Sequence, residues 1–171
     1  MVEVLIADPE SPESQLLLAA LSARLQQITG SSGAASFQVS DVQVEGACFV
    51  IARQSDGQAV GCGALRPLEP GVAELKRMFA MPGSKGVGSA ILGFLEHKAC
   101  EFGYNQLWLE TRKVNLHAVS FYQRHGYHPI ASFGRYIGRT EAICLGKLLT
   151  LVPHRQEAKL QPTGSRINEA D

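Results

Sequence analysis

Apolar and polar positions along the chain change period several times, and each change marks an element. Val2 to Ala7 is a short apolar run that reads as a first strand. Asp8-Pro9-Glu10-Ser11-Pro12 carries turn and helix-start chemistry, with Ser11 as N-cap and Pro12 at the first helical position. Leu18, Leu21, Leu25 and Ile28 follow at helical spacing, and Gly30 closes that helix. Ser31 to Ser40 is small, polar and glycine-containing, and reads as a mobile loop. Ala47 to Gln54 and Gln58 to Leu68 form a hairpin about Ser55-Asp56-Gly57, because Asp-Gly between apolar runs is a strong turn signal. Pro67, Pro70 and Gly71 break the chain before the strand Val72 to Met81. Val87, Ala90, Ile91, Phe94, Leu95, Lys98, Ala99 and Phe102 recur at three- and four-residue steps, an amphipathic helix stopped by Gly103. Gln106 to Thr111 is a short strand. Asn115 caps a helix from Leu116 to about His125, ended by Gly126. Tyr127 to Ser132 and Ala142 to Leu149 read as closing strands. Beyond Val152 the chain is polar, carries Pro153, Pro162 and Gly164, and loses its periodicity, as a loosely held tail does.

This order predicts an α/β (α+β) domain over residues 1–150 with a C-terminal tail at 151–171. Its centre is a mixed, mostly antiparallel sheet of six to seven strands with helices on both faces. The strands on either side of the helix from Gly86 to Phe102 should be parallel, with a right-handed crossover.

Composition removes whole classes of function. The 171 residues carry 16 Lys plus Arg against 16 Asp plus Glu. A neutral chain without a basic run lacks the field that nucleic acid or an anionic membrane surface calls for. No apolar stretch approaches membrane-spanning length, and Met1 to Asp8 has neither a basic n-region nor a secretory h-region, so the default location is cytoplasmic. Cys48, Cys62, Cys100 and Cys144 are scattered, with no Cys-x-x-Cys pair and no histidine cluster beside them. They read as free, buried thiols rather than a zinc site or a disulfide scaffold, and no metal is expected.

The candidate chemistry lies at Pro82-Gly83-Ser84-Lys85-Gly86-Val87-Gly88-Ser89-Ala90-Ile91, between a strand and a helix. A helix N-terminus offers unpaired N–H groups and the positive end of the macrodipole, and glycine lets a ligand approach the backbone. Three ligands compete for such a loop. Gly83 and Gly88 have P-loop spacing, but Ser89-Ala90 replaces the lysine and hydroxyl that ATP or GTP needs. Gly86 and Gly88 fit a dinucleotide fingerprint, Ile91 does not, and Glu110 falls near the place of a ribose-binding acid. The third ligand is coenzyme A.

The segments downstream favour the third. Val60-Gly61-Cys62-Gly63-Ala64-Leu65, Glu74-Leu75-Lys76-Arg77-Met78-Phe79-Ala80, Lys85-Gly86-Val87-Gly88-Ser89, Leu109-Glu110-Thr111, Asn115 and Phe121-Tyr122-Gln123-Arg124-His125-Gly126-Tyr127 occur in that order. Together they resemble the GNAT superfamily of acetyl-CoA-dependent N-acetyltransferases, over roughly Val60 to Leu149. One departure concerns the loop, which in the family reads Arg/Gln-x-x-Gly-x-Gly/Ala. With Gly86 and Gly88 as the motif glycines, Gly83 stands in the Arg/Gln place; with Gly88 and Ala90, Lys85 does. The spacing to Gly103-Tyr104 favours the first register.

The resemblance implies a set of roles. The backbone of Met78, Phe79 and Ala80 would pair with the pantetheine arm of acetyl-CoA, and Lys85, Gly86, Val87, Gly88 and Ser89 would take the diphosphate. A backbone N–H near Ala80 would serve the oxyanion. Tyr122 stands in the place of the acid that protonates the leaving thiolate, with Phe121 beside it as the core aromatic. Asn115 would bond the pantetheine arm, cap its helix, or do both. An amine with a pKa near 10.4 is only about one part in a few thousand deprotonated at neutral pH, so a carboxylate base is wanted. Glu74 and Glu110 are the two candidates, and either could instead be an ion-paired structural group. Direct attack in a ternary complex is favoured over a cysteine acyl-enzyme.

The acceptor, a small-molecule or peptide amine, is not specified by these motifs. Arg77, Arg135 and Tyr136 are the candidate acceptor contacts, with the two arginines placed to grip a carboxylate. A noncatalytic coenzyme A module and a nucleotide-binding enzyme stay open as rivals. A homodimer is suggested by fold-level analogy alone.

Overall fold

The computed structural model describes residues 1–150; the C-terminal tail expected at 151–171 lies outside the described residues. In chain order the elements are β1 (Glu3–Ile6), α1 (Pro12–Thr29), β2 (Cys48–Arg53), β3 (Ala59–Glu69), β4 (Val72–Ala80), α2 (Val87–Glu101), β5 (Gln106–Arg112), α3 (Leu116–Arg124), β6 (His128–Pro129) and β7 (Ala142–Leu148). The strands form one seven-stranded sheet in the order β1-β2-β3-β4-β5-β7-β6. Among the described residues only β4 and β5 are parallel, and they are the two joined through α2. The other neighbours are antiparallel, as the mixed-sheet reading expects.

Helices cover both faces. On one, Val87, Ile91, Leu92, Leu95 and Ala99 of α2 bury against Val50, Ala52, Leu65, Ala73 and Leu75, and Tyr122 of α3 joins this cluster. On the other, Leu17 and Leu21 of α1 pack on Phe49, Ile51, Cys62, Ala64 and Phe79. In β3, Cys62 and Ala64 face one side and Leu65 the other, the period of two that a two-sided sheet requires; in β4, Leu75 and Phe79, four apart, fall on opposite faces because the register shifts between them.

Two glycines let α2 lie close to β3. A Cβ on Gly61 would sit 2.6 Å from Val87 Cγ1 and 2.7 Å from the Phe79 carbonyl oxygen. One on Gly63 would sit 2.7 Å from Met78 Sδ and 2.8 Å from Ile91 Cγ2. This spacing sets the start of α2, and so the glycine loop, hard against the end of β4.

The local signals hold at the caps. Ser11 Oγ accepts from Ser14 N at 3.3 Å, Pro12 opens α1 and Gly30 closes it at φ 77°. Asn115 Oδ1 accepts from Ala118 N at 3.3 Å at the start of α3. The Asp56-Gly57 turn is closed by Gln54 N donating to Gln58 O at 2.9 Å.

Three expectations are corrected. The core face of α1 is led by Leu17 rather than Leu18, and Ile28 is exposed. The strand expected over Tyr127–Ser132 shrinks to His128–Pro129, followed by a single further bond from Ile130 N to Cys144 O at 3.0 Å. The loop from Ser31 to Ser40 is pinned, containing two short 3-10 turns at Ala34–Ser36 and from Val39. Its carbonyls accept from cations far along the chain: Arg77 reaches Ser32 O at 3.1 Å, Arg66 reaches Ser36 O at 3.2 Å, and Arg135 reaches Ala35 O at 3.0 Å. A polar stretch without periodicity carries no local sign of such partners.

Candidate active site

The site begins where two parallel strands part. β4 pairs with β5 only at Val72, Ala73 and Glu74, so from Leu75 to Ala80 its edge toward β5 is open. The cause is in β4 itself. Arg77 and Met78 together stand opposite Gly63 of β3, and Arg77 has φ 52°, the only positive φ at a non-glycine among the described residues. Such a bulge bends and twists its strand away from a neighbour. β5, bound on its other edge to β7, continues straight to Arg112.

Two cavities open into this fork. The first, of about 220 Å³, lies between the parting strands and is lined by Leu75–Met78 of β4 and Leu109–Arg112 of β5. The pinned loop and the segment Arg135–Arg139 complete its wall. The second, of about 320 Å³, is lined by Met78–Ala80, Ser84, Gly86–Ser89 and one side of α3. Met78, Asn115, Ala118 and Tyr122 line both, as do Leu21 and Leu25 of α1. Tyr122 therefore stands at the junction.

The glycine loop ends as an uncapped helix. Gly86, at φ 72°, is the N-cap of α2 and supplies no side-chain bond. The N–H groups of Val87, Gly88 and Ser89 find no acceptor in the turn before them. Gly88 lies against the Phe121 ring, which a Cβ would approach to 3.3 Å. Ser89 Oγ is 3.0 Å from His125 Nε2. Lys85 is exposed and absent from the cleft wall, where Ser84 takes the place expected for it.

Tyr122 and Phe121 exchange expectations. Tyr122 is the buried member, packed edge-on against Tyr127 at 5.7 Å between ring centres, and Phe121 is half-buried on the cleft wall. Burial holds the Tyr122 phenol above its ordinary pKa, so it stays protonated at neutral pH. The helical offset that carries Tyr122 into the core also carries it to the fork, because the fork cuts into the core.

The acidic candidates separate. Glu74 is 1% exposed and lines neither cavity. Its Oε1 accepts from Arg66 Nε at 2.9 Å and Nη2 at 2.7 Å, and Arg66 also reaches Asp41 Oδ2 at 2.7 Å. Glu110 lines the first cavity, and its Oε1 is buried without a hydrogen-bond partner. Burial raises the Glu110 pKa, against the opposing pull of Arg112 and Lys76. The fold thus makes Glu74 an ion-paired wall behind the site and leaves Glu110 facing it.

Lys76 is the residue that sequence reasoning passed over. It is 8% exposed, and its Nζ donates to Ser36 Oγ at 2.9 Å and to Tyr136 OH at 2.8 Å. Burial draws its pKa down to about 8; Glu74 and Glu110 oppose the shift, while Arg66 and Arg135 assist it. A sign of it was present, since Glu74 and Lys76 stand two apart in a mostly apolar strand and so share a face. Arg77, expected as an acceptor contact, lines the cavity but spends its guanidinium on Ser22 Oγ and the Ser32 carbonyl. Arg135 and Tyr136 do reach the cavity wall. Among the described residues no group of three or more His, Cys, Asp or Glu side chains could hold a metal ion.

With this geometry the chain can be compared with known proteins. The model of the acetyltransferase (GNAT) family matches residues 18–127. The chain belongs to the GNAT acetyltransferase family. It is 36% identical over 91 residues to an IAA acetyltransferase of Azospirillum brasilense, covering 52% of this chain and 59% of that protein. It is 33% identical over 82 residues to an uncharacterized N-acetyltransferase of Schizosaccharomyces pombe, covering 46% and 50%. The matched stretch thus spans little more than half the length of these curated relatives. Among solved structures, a Klebsiella pneumoniae protein described as an acyl-CoA N-acyltransferase superposes with TM-score 0.74 at 27% identity, over 88% of this chain and 99% of that one. A GNAT acetyltransferase of Elizabethkingia anophelis, solved with acetyl-CoA bound, shares the fold with TM-score 0.65 at 15% identity, over 86% and 98%. The parted strands, the glycine loop and the α3 tyrosine all lie within or beside the residues that the GNAT match covers.

Proposed function

We propose that the protein is an N-acetyltransferase that moves the acetyl group of acetyl-CoA to the primary amine of a small molecule or peptide, both substrates being bound together. The observation that carries this reading is the shared wall: Tyr122, Asn115 and Met78 line both cavities, so ligands in the two would meet there.

The residues present suit acetyl-CoA. A pantetheine arm carries amides, and the open edge of β4 at Met78–Ala80 offers unpaired backbone groups to them. A diphosphate is an anion, and the bare N–H groups of Val87, Gly88 and Ser89 at the start of α2 suit one. Lys85 would add charge from the solvent side. When bound, acetyl-CoA supplies an activated thioester carbonyl. Glu110, with its raised pKa, takes a proton from the acceptor amine, directly or through water. A backbone N–H near Ala80 faces the carbonyl oxygen as charge builds on it; losing such a donor costs on the order of 3 kcal/mol. Tyr122 holds the proton that the departing sulfur needs. Asn115 is already committed to capping α3, so its side-chain N–H2 is the part left to reach the pantetheine arm. Cys48, Cys62 and Cys144 are buried free thiols, and Cys100 is free and half-buried; this suits a reducing cytoplasm and a mechanism without an acyl-cysteine.

Thermal unfolding with acetyl-CoA, coenzyme A, ATP and NAD in parallel tests the reading. At 100 times its Kd a ligand stabilises the native state by about 2.7 kcal/mol. Acetyl-CoA and coenzyme A should do so; a shift with ATP or NAD alone would overturn it. Acceptor-dependent thiol release distinguishes an enzyme from a noncatalytic binding module.

A further inference from the structure

The charges around the first cavity do not balance. Lys76, Arg77, Arg112, Arg135 and Arg139 line it, and Glu110 is the one carboxylate on its wall. Arg112 is paired with Glu141 at 2.6 Å. Lys76, Arg77, Arg135 and Arg139 have no carboxylate within ion-pair distance among the described residues. Where they have partners these are neutral: hydroxyls for Lys76, a hydroxyl and a carbonyl for Arg77, and a carbonyl for Arg135. Arg139 has no side-chain hydrogen bond at all among the described residues.

Lys76 is the buried cation of this set, hydrogen-bonded to neutral hydroxyls alone, and Arg135 and Arg139 are exposed, so the wall carries an excess of positive charge that an anion brought into the cavity would offset. Asp41 and Glu74 are both engaged by Arg66, and neither lines the cavity. The second cavity does not account for these cations either. It has its own, Arg24 and Arg124, neither of which lines the first. Glu110 lies on β5 and Lys76 on β4, so one cavity holds an acid for an amine and cations for an anion.

We propose that the acceptor is an amine of the amino-acid class, carrying a carboxylate that Lys76, Arg135 and Arg139 receive while Glu110 faces its amine. This rests on the acetyltransferase reading and narrows it. Arg77 is left to hold the loop onto α1. Polyamines and other acceptors without an anionic group would meet the same cations as a barrier.

The test pairs each of the common amino acids with its decarboxylated amine. In acetyl-CoA-dependent thiol release, at least one amino acid should exceed its decarboxylated partner about 10-fold or more in kcat/KM, as a charge-assisted contact allows. Arg139→Gln, at an exposed position whose side chain makes no hydrogen bond among the described residues, should raise KM for that amino acid several-fold with kcat little changed, and narrow its advantage over the decarboxylated amine by the same factor. Independently of turnover, that amino acid should raise the thermal midpoint of the protein without coenzyme A. Decarboxylated amines that react as well or better, or a full set of amino acids that neither reacts nor shifts the midpoint, would overturn the proposal. Failure of coenzyme A itself to bind would instead sink the acetyltransferase reading, while the amino-acid shift still reports on the cavity.

Discussion

The cleft beneath the glycine loop and the cavity between β4 and β5 share a wall that includes Tyr122, Met78 and Asn115, and beyond it they are built from different materials. The cleft presents main chain: the open edge at Met78–Ala80 and the bare N–H groups at the start of α2. The cavity presents charged side chains, several of them held by contacts from elsewhere. Lys76 meets Tyr136 across 60 residues, and Arg135 meets Ala35 across 100. Main-chain recognition depends on local geometry, on a bulge, a glycine and a helix start, and tolerates change in side chains. Side-chain recognition depends on long-range packing and changes with it. One half of the site is therefore suited to a ligand common to a whole family, and the other to an acceptor particular to this chain.

Several experiments would break or sharpen that contrast. The largest effect is expected at the junction. Tyr122→Phe should lower kcat about 10³-fold, equivalent to about 4 kcal/mol, with acetyl-CoA affinity unchanged by calorimetry. Undiminished turnover would take Tyr122 out of the chemistry. Next is the wall behind the cavity: Glu74→Ala leaves Arg66 with Asp41 as its one carboxylate partner and should destabilise the fold by about 3 kcal/mol in denaturant titration. The pH profile of whatever activity survives should keep its acid limb.

Glu110→Gln should do the reverse, lowering kcat/KM about 10²-fold and removing the acid limb, with little change in stability. A lost acid limb in the Glu74 variant and a retained one in the Glu110 variant would reverse the assignment. On the cleft side, Gly61→Ala should cost about 2 kcal/mol, because the new methyl must displace Val87 and Ile91 or the Phe79 carbonyl. If the cleft is recognised through main chain, that variant should also weaken coenzyme A binding while sparing the cavity.

The smallest effect concerns pH. Lys76 has its pKa lowered to about 8 by burial, so it is cationic below that pH and neutral above it. The groups acting on it come from its own strand (Glu74), from β3 (Arg66), from β5 (Glu110), and from the segment after β6 (Arg135 and Tyr136). KM for a carboxylate-bearing acceptor should therefore rise several-fold as pH passes upward through 8, and KM for its decarboxylated amine should not.

Legibility followed the same division. Element order, the parallel pair, the caps at Ser11, Gly30 and Asn115, and the glycine loop were readable, because each rests on residues a few positions apart. Glu74 and Glu110 were indistinguishable as two strand carboxylates. What separated them was Arg66, eight residues from Glu74 in the chain and its partner only through the β3–β4 pairing. Tyr122 is buried where the sequence pointed to Phe121 as the core aromatic, yet it still lines both cavities, since burial and access to the fork are compatible.

The amino-acid sequence by itself determined the order of elements along the chain, the parallel pair, the loop that suits a diphosphate and the family, because hydrophobic period, capping and glycine placement act over single turns and neighbouring strands. Only the tertiary structure decided which carboxylate faces the fork, that Lys76 is buried among hydroxyls, and that the polar loop after α1 is fastened over the cavity. Those outcomes depend on desolvation and on charges brought together from distant parts of the chain, and neither has a local signature.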